Sequence, residues 1–123
     1  MHASKDSLTP ETMGDSYEGR MAQWGEYSAY FENIKGGTDF SPLFVGLPDD
    51  SCQSPHWGYR FKGKIRFIYK DHDEVISAGE AYYAPAGHKF ECLEDAETLE
   101  FAPTPELMKT FEVAAKNLES QSH

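Results

Sequence analysis

The chain has 123 residues and a formal net charge of −10, with 39% apolar and 14% aromatic residues. That length fits one domain able to bury a core without disulfide staples, and the composition is that of a globular protein. So acidic a surface repels phosphate backbones and anionic lipid heads, so neither nucleic acid nor a membrane surface is an expected partner.

The first 18 residues are polar and lack the apolar heart of a signal peptide, and no run approaches the roughly 18 apolar residues of a membrane span. A cytoplasmic location is therefore expected, with Cys52 and Cys92 kept as thiols. Residues 1–20 are rich in Ser, Thr, Asp, Glu and Gly and read as a loosely held, flexible arm, either free or lying across the rest of the chain. Residues 21–123 read as a single domain.

Residues 24–34 alternate with aromatic groups on both faces, which predicts one strand covered on both sides. Gly36, Gly37, Thr38 and Asp39 form a turn, and residues 40–47 read as a second strand with Pro42 near its start. After the loop at Pro48, Asp49, Asp50 and Ser51, short strands are expected at 56–62, 64–70, 74–77, 80–84, 88–93 and 98–102. Gly63, the tip Asp71-His72-Asp73, Gly79, and Pro85 with Gly87 punctuate them. Short strands at this spacing predict an antiparallel sandwich or barrel, and no βαβ alternation is present. The period then changes. Thr104 can cap, Pro105 suits the first helical position, and Leu107, Phe111, Ala114, Ala115 and Leu118 line one face of a helix over 105–118.

Two segments resemble the cupin motifs. Gly79, Pro85 and Gly87 keep the spacing of the second motif (Gly, five residues, Pro, any residue, Gly). The stretch from Gly46 through Cys52 and His56 to Gly63 is similar to the first, which runs Gly, five residues, His-any-His, three or four residues, Glu, six residues, Gly. The resemblance implies an all-β fold, a cupin-like double-stranded β-helix or jelly-roll barrel, with one C-terminal α-helix. It also implies a homodimer and a divalent metal or small-molecule site in the barrel lumen. The ligand positions depart from the family. Counting forward from Gly46, Cys52 stands at the first His. Counting back from Gly63, Cys52 stands at the second His and His56 at the Glu. In the second motif Phe90 occupies the His position, and His88 lies two residues earlier, on the same side of a strand.

Cys52, His56 and His88 are the candidate metal ligands. One thiolate and two imidazoles suit Zn²⁺, with a fourth position left for water or substrate. Each also has a plainer reading: an inert buried thiol, a hydrogen-bonded wall residue and a turn residue. Asp50 or Glu91 could add a carboxylate. Cys92 is a further possible ligand, or a disulfide partner of Cys52 if their Cβ atoms approach to about 4 Å. Arg60 shares a face with His56 and is the candidate for holding a carboxylate. Tyr82 and Phe90 are candidate lining residues. No role is assigned to His2, His72 or His123.

Two functions stay open: a metal-dependent enzyme on a small polar or carboxylated metabolite, and a non-catalytic ligand-binding or sensing protein without a metal. A third, a structural partner protein, would use Trp24, Trp57, Tyr59 and Phe61 as a subunit interface and is compatible with either.

Overall fold

The structure is a computed structural model that describes residues 1–121. Its strands are β1 (Glu11–Met13), β2 (Tyr17–Trp24), β3 (Tyr27–Ile34), β4 (Thr38–Asp39), β5 (His56–Ile68), β6 (Asp73–Ser77), β7 (Ala81–Ala84) and β8 (Lys89–Pro103), followed by one helix, α1 (Thr104–Gln121). All strand pairs are antiparallel, in the order β1-β2-β3-β8-β5-β6, with β4 added to β8 and β7 to β5.

The sheet curls on itself where β5 and β8 lose register between Arg60 and Ile65. Such irregularities bend a strand and sharpen its twist. Gly63 sits at this corner with φ +83°, and a Cβ there would lie 2.1 Å from the Asp95 carbonyl oxygen. The break expected at Gly63 is therefore a bend inside one strand, and 88–93 and 98–102 likewise belong to one strand, β8. One half of β5 pairs with β7, the other with β6, and β8 backs both.

Three other expectations differ from the structure. The strand read over 24–34 is the second arm of a hairpin: Gly25, with φ +69°, turns the chain so that Trp24 pairs with Tyr27. Residues 40–47 hold a 3₁₀ turn at Ser41–Phe44 instead of a strand, and its Leu43 and Phe44 point into the core. The boundary placed at residue 20 falls inside β2, and the residues before it include β1 and the first half of β2, joined by a turn at residues 14–16. Tyr17 anchors them: it is buried, packs against Phe40 and Phe111, and donates its hydroxyl to Glu32.

Inward residues of both halves meet in one core that includes Ile34, Phe40, Ile65, Phe67, Ile76 and Ala96. Helix α1, longer than the 105–118 expected, closes one end with Leu107, Thr110 and Ala114 turned inward. Its start is held by Thr104, whose N–H donates to the Glu26 carbonyl and whose hydroxyl bonds Ser28 at 2.8 Å. Among the described residues no helix is long and apolar enough to cross a membrane.

Replacing Gly63 by Ala strains the backbone and collides with Asp95, and we expect a loss of about 3 kcal/mol. A urea unfolding midpoint unchanged from wild type would show that the corner does not depend on this glycine.

Candidate metal centre

The loop before β5 delivers two of the three donors. After a 3₁₀ turn at Pro48–Asp50, Cys52 joins the sheet margin through a bridge to His88: its N–H donates to the His88 carbonyl, and Gly87 N–H donates to the Cys52 carbonyl, both at 2.7 Å. Four residues later His56 opens β5, and its Nε2 lies 3.5 Å from Cys52 Sγ. His88 comes from the other side, just before β8, with its ring 5.0 Å from that of His56. One donor atom from each of the three lies within 4.8 Å of the others. All three residues are buried, with exposures of 2%, 7% and 1% for Cys52, His56 and His88.

Hydrogen bonds on the far side of each imidazole decide which nitrogen faces the cluster. His88 Nδ1 lies 2.8 Å from the Pro85 carbonyl, which can only accept, so Nδ1 carries the proton and Nε2 is bare. His56 Nδ1 lies 2.6 Å from the Tyr30 hydroxyl, which is itself bonded to Glu100. Tyr30 spends its single proton on that carboxylate and accepts from His56 Nδ1–H, which again leaves Nε2 bare. Burial lowers the His56 pKa, and burial together with the neighbouring His56 lowers that of His88 to about 4. Both rings are therefore neutral near pH 7, the form that binds metal. Burial pushes the Cys52 thiol up to about 11, so it keeps its proton until a cation replaces it.

These donors fit a zinc ion. Bonds of about 2.3 Å to sulfur and about 2.0 Å to nitrogen at tetrahedral angles put neighbouring donors about 3.5 Å apart. The Cys52–His56 separation is 3.5 Å. Three protein donors leave one tetrahedral position free.

Below the cluster lies a polar wall, of which the sequence pointed to Arg60 and Tyr82 but not to the two glutamates. The register sets Tyr30, Glu100, Gly58 and Tyr82 in one inward row across β3, β8, β5 and β7, and Glu32, Thr98 and Arg60 in the next. Gly58 has no side chain because the Tyr82 ring crosses it: a Cβ there would be 2.6 Å from the ring. That crossing lets Tyr82 donate its hydroxyl to Glu100, while Tyr17 donates to Glu32 and the two carboxyls bond each other. Burial, and then repulsion from Glu100, holds the Glu32 pKa well above the carboxylate range. For Glu100 burial acts in the same direction but is outweighed by His56 and by hydrogen bonds from Tyr82, Tyr30 and Glu32. The two carboxyls are thus pushed in opposite directions, Glu32 toward its protonated form and Glu100 toward its ionised form. In sequence, Glu32 and Glu100 look like ordinary polar positions of alternating strands; only pairing shows that they face inward.

Cys52, His56, His88, Glu32, Glu100 and Phe90 all contribute to the wall of one cavity of about 50 Å³. Phe90 stacks on Phe40 at 4.7 Å. Arg60 shares the inward face with His56, as alternation predicts, but stands behind the cavity wall. Its Nη1 donates to Thr98 at 2.6 Å, its guanidinium lies over the Tyr82 ring, and Nε and Nη2 are without partners. Tyr82 also stands behind the wall and reaches the site through Glu100.

Three expected contributors lie elsewhere. Cys92 is buried on β8 beside Thr38 and Ile65, with Sγ 3.0 Å from the Glu94 carbonyl; it is outside the donor cluster, and both cysteines are free. Asp50 is exposed, adopts φ +51°, and accepts from Gly46 N–H at 3.0 Å, so its carboxylate serves the loop. Glu91 pairs with Arg66 away from the site.

The proton assignment is testable by stability. Glu100→Gln replaces the carboxylate that accepts from the Tyr82 hydroxyl and faces His56 inside the barrel, and should cost about 2–3 kcal/mol. Glu32→Gln replaces a protonated acid by its amide isostere and should cost about 1 kcal/mol or less. Equal losses on urea unfolding would mean that the proton is not on Glu32.

No protein-family model matches the chain, and a search of curated proteins finds no match. Solved structures do resemble it. An RmlC-like cupin from Shewanella frigidimarina superposes with a TM-score of 0.62 at 13% identity, over 82% of this chain and 87% of that one. KdgF from Halomonas sp. gives 0.60 at 16% identity, over 81% and 91%. Oxalate decarboxylase from Bacillus subtilis gives 0.59 at 14% identity, over 82% of this chain but 28% of the larger one. Together with the strand order and the closing helix, these matches show that this chain has the cupin fold, a jelly-roll barrel of antiparallel strands with one C-terminal helix.

Proposed function

We propose that the barrel lumen holds one divalent metal ion, zinc, on Cys52 Sγ, His56 Nε2 and His88 Nε2, and presents its free position to a small polar or carboxylated ligand. The observation that carries this reading is the convergence of three buried donors, with both imidazoles turned so that bare nitrogens face the thiol. Zinc held there would polarise a ligand carbonyl or acidify a bound water.

The chain's own residues complete the setting. Tyr30 and Pro85 orient the two imidazoles. Glu32 offers a proton to whatever enters the cavity, and Glu100 keeps that proton on its partner. Arg60 stands behind Glu32 as a fixed positive charge and favours an anionic ligand. Phe90 and Phe67 supply apolar walls that keep water out. Enzymatic turnover is one use of such a site. A non-catalytic binding or sensing role is the second reading, favoured by the small volume, about 50 Å³.

Stoichiometric metal in protein expressed in metal-replete medium, lost in Cys52→Ala, His56→Ala and His88→Ala but kept in Cys92→Ala, supports the metal reading. Zinc titration into metal-free protein near neutral pH should release about one proton per ion, from the Cys52 thiol. Metal-free wild type under those conditions would overturn the metal reading and leave the binding module.

The same proposal places the protein in the cytoplasm, consistent with two free, buried cysteines, and makes it a homodimer. Trp57, Tyr59, Phe61, Tyr83 and Phe101 are between 40% and 53% exposed on the outer sheet face, where Trp57 pairs with Phe101 and stacks on Tyr83. Continuous apolar patches of this kind mark interfaces. Sedimentation should show a dimer that Trp57→Lys with Phe101→Lys converts to monomer; monomeric wild type would overturn the assignment.

A further inference from the structure

The lumen is too small for a whole metabolite. A volume of about 50 Å³ admits one or two water-sized groups, whereas pockets for complete small molecules run to about 300–1,000 Å³. A second space of about 710 Å³ lies directly outside it. This groove runs between the N-terminal residues 7–13, strand β2 and helix α1. Met13, Tyr17, Tyr30 and Phe111 line both spaces, so one layer of side chains separates them.

The chemistry of the groove differs from that of the lumen. Met13, Met21, Met108 and Phe111 supply thioether and aromatic surface, and Leu8 and Ala115 extend it. Gln23 Nε2 lies 3.8 Å from Met21 Sδ and 3.5 Å from Met108 Sδ, which holds the two thioethers side by side at the junction of β2 and α1. Unbranched thioether side chains reshape around apolar ligands of varied outline. The cations nearby are engaged: Arg20 bonds Glu18 and the carbonyls of Lys5 and Leu8.

We infer that the ligand is amphiphilic: a carboxylate-sized polar head enters the lumen, and an apolar tail of several carbons lies in the methionine-lined groove. The inference rests on the reading of the lumen as the head-group site and adds the class of molecule that the site takes. Met13 and Phe111, both half-buried, are the side chains that must turn aside for the head to pass.

The sequence contains four methionines, and the fourth, Met1, is fully exposed and does not line the groove. Protein labelled with ¹³C at the methionine methyls is titrated with acetate, butanoate and octanoate, with and without zinc. Octanoate should shift the Met13, Met21 and Met108 signals, leave Met1 in place, and bind at least about 50-fold more tightly than acetate. Met108→Glu should abolish that gain. Ala115→Trp, at an exposed helix position that fills the groove without touching the core, should do the same. Equal affinities across the series, a gain that survives both variants, or a parallel shift of Met1 would overturn the inference. The chain-length gain reports on the groove, while the zinc dependence of affinity at fixed chain length reports on the metal, so the two readings fail separately.

Discussion

The pairing of β5 with β8 governs the interior of this barrel. Two long strands run side by side, slip register at the Gly63 corner, and carry on into the second half of the sheet. Because side chains alternate along a strand, one register decides a whole face at once. It sets Gly58 opposite Glu100 and Arg60 opposite Thr98, and through β3 it adds Tyr30 and Glu32 to the same rows. A slip of one residue would turn Trp57, Tyr59 and Phe101 inward and expel His56, Arg60 and Glu100.

The interior that results is expensive to build. Two carboxyls and a guanidinium are removed from water, and such charges cost several kcal/mol each unless partners meet them. The barrel offsets this by holding Glu32 toward its protonated form beside Glu100 and by turning three tyrosine hydroxyls toward the two carboxyls. Arg60 has fewer partners, only Thr98 and the face of Tyr82. A polar set of this density beside the buried Cys52, His56 and His88 is what separates this lumen from a plain apolar core. The dry walls of Phe67 and Phe90 strengthen every electrostatic contact within it.

Much of the architecture was legible along the chain. Gly and Pro punctuation located most of the strands after residue 55, and the switch to a helical period located α1. The errors have a common physical origin. Aromatic alternation continues across Gly25 and Glu26, so the turn and β3 look like one strand that begins at Trp24. Leu43 and Phe44 are apolar for core packing, and that apolarity mimics a strand although Pro42 lies in the first turn of a 3₁₀ helix. The polar composition of residues 1–20 hid Tyr17, whose single ring and hydroxyl tie β2 to the core. For the site, the Cys52–His56 spacing and the position of His88 after Gly87 were visible as motif departures. Glu32 and Glu100 were not, since an acidic residue at every second position looks the same on a wet face and a dry one.

The order of residues alone determined an acidic, β-rich chain with a closing helix, because turn chemistry and hydrophobic period are local properties. It also determined which residues were chemically able to bind a metal. Whether those residues meet was decided by the tertiary structure. Residues 52, 56 and 88 come from two separate segments, and only the Cys52–His88 bridge and the curl of β5 bring their donors together. The same closure left Cys92 and Asp50 outside, and it put the buried Glu32 on the wall of the same cavity. Donor distance, proton position and cavity volume are properties of strands packed against one another, so they come into being only when the sheet closes.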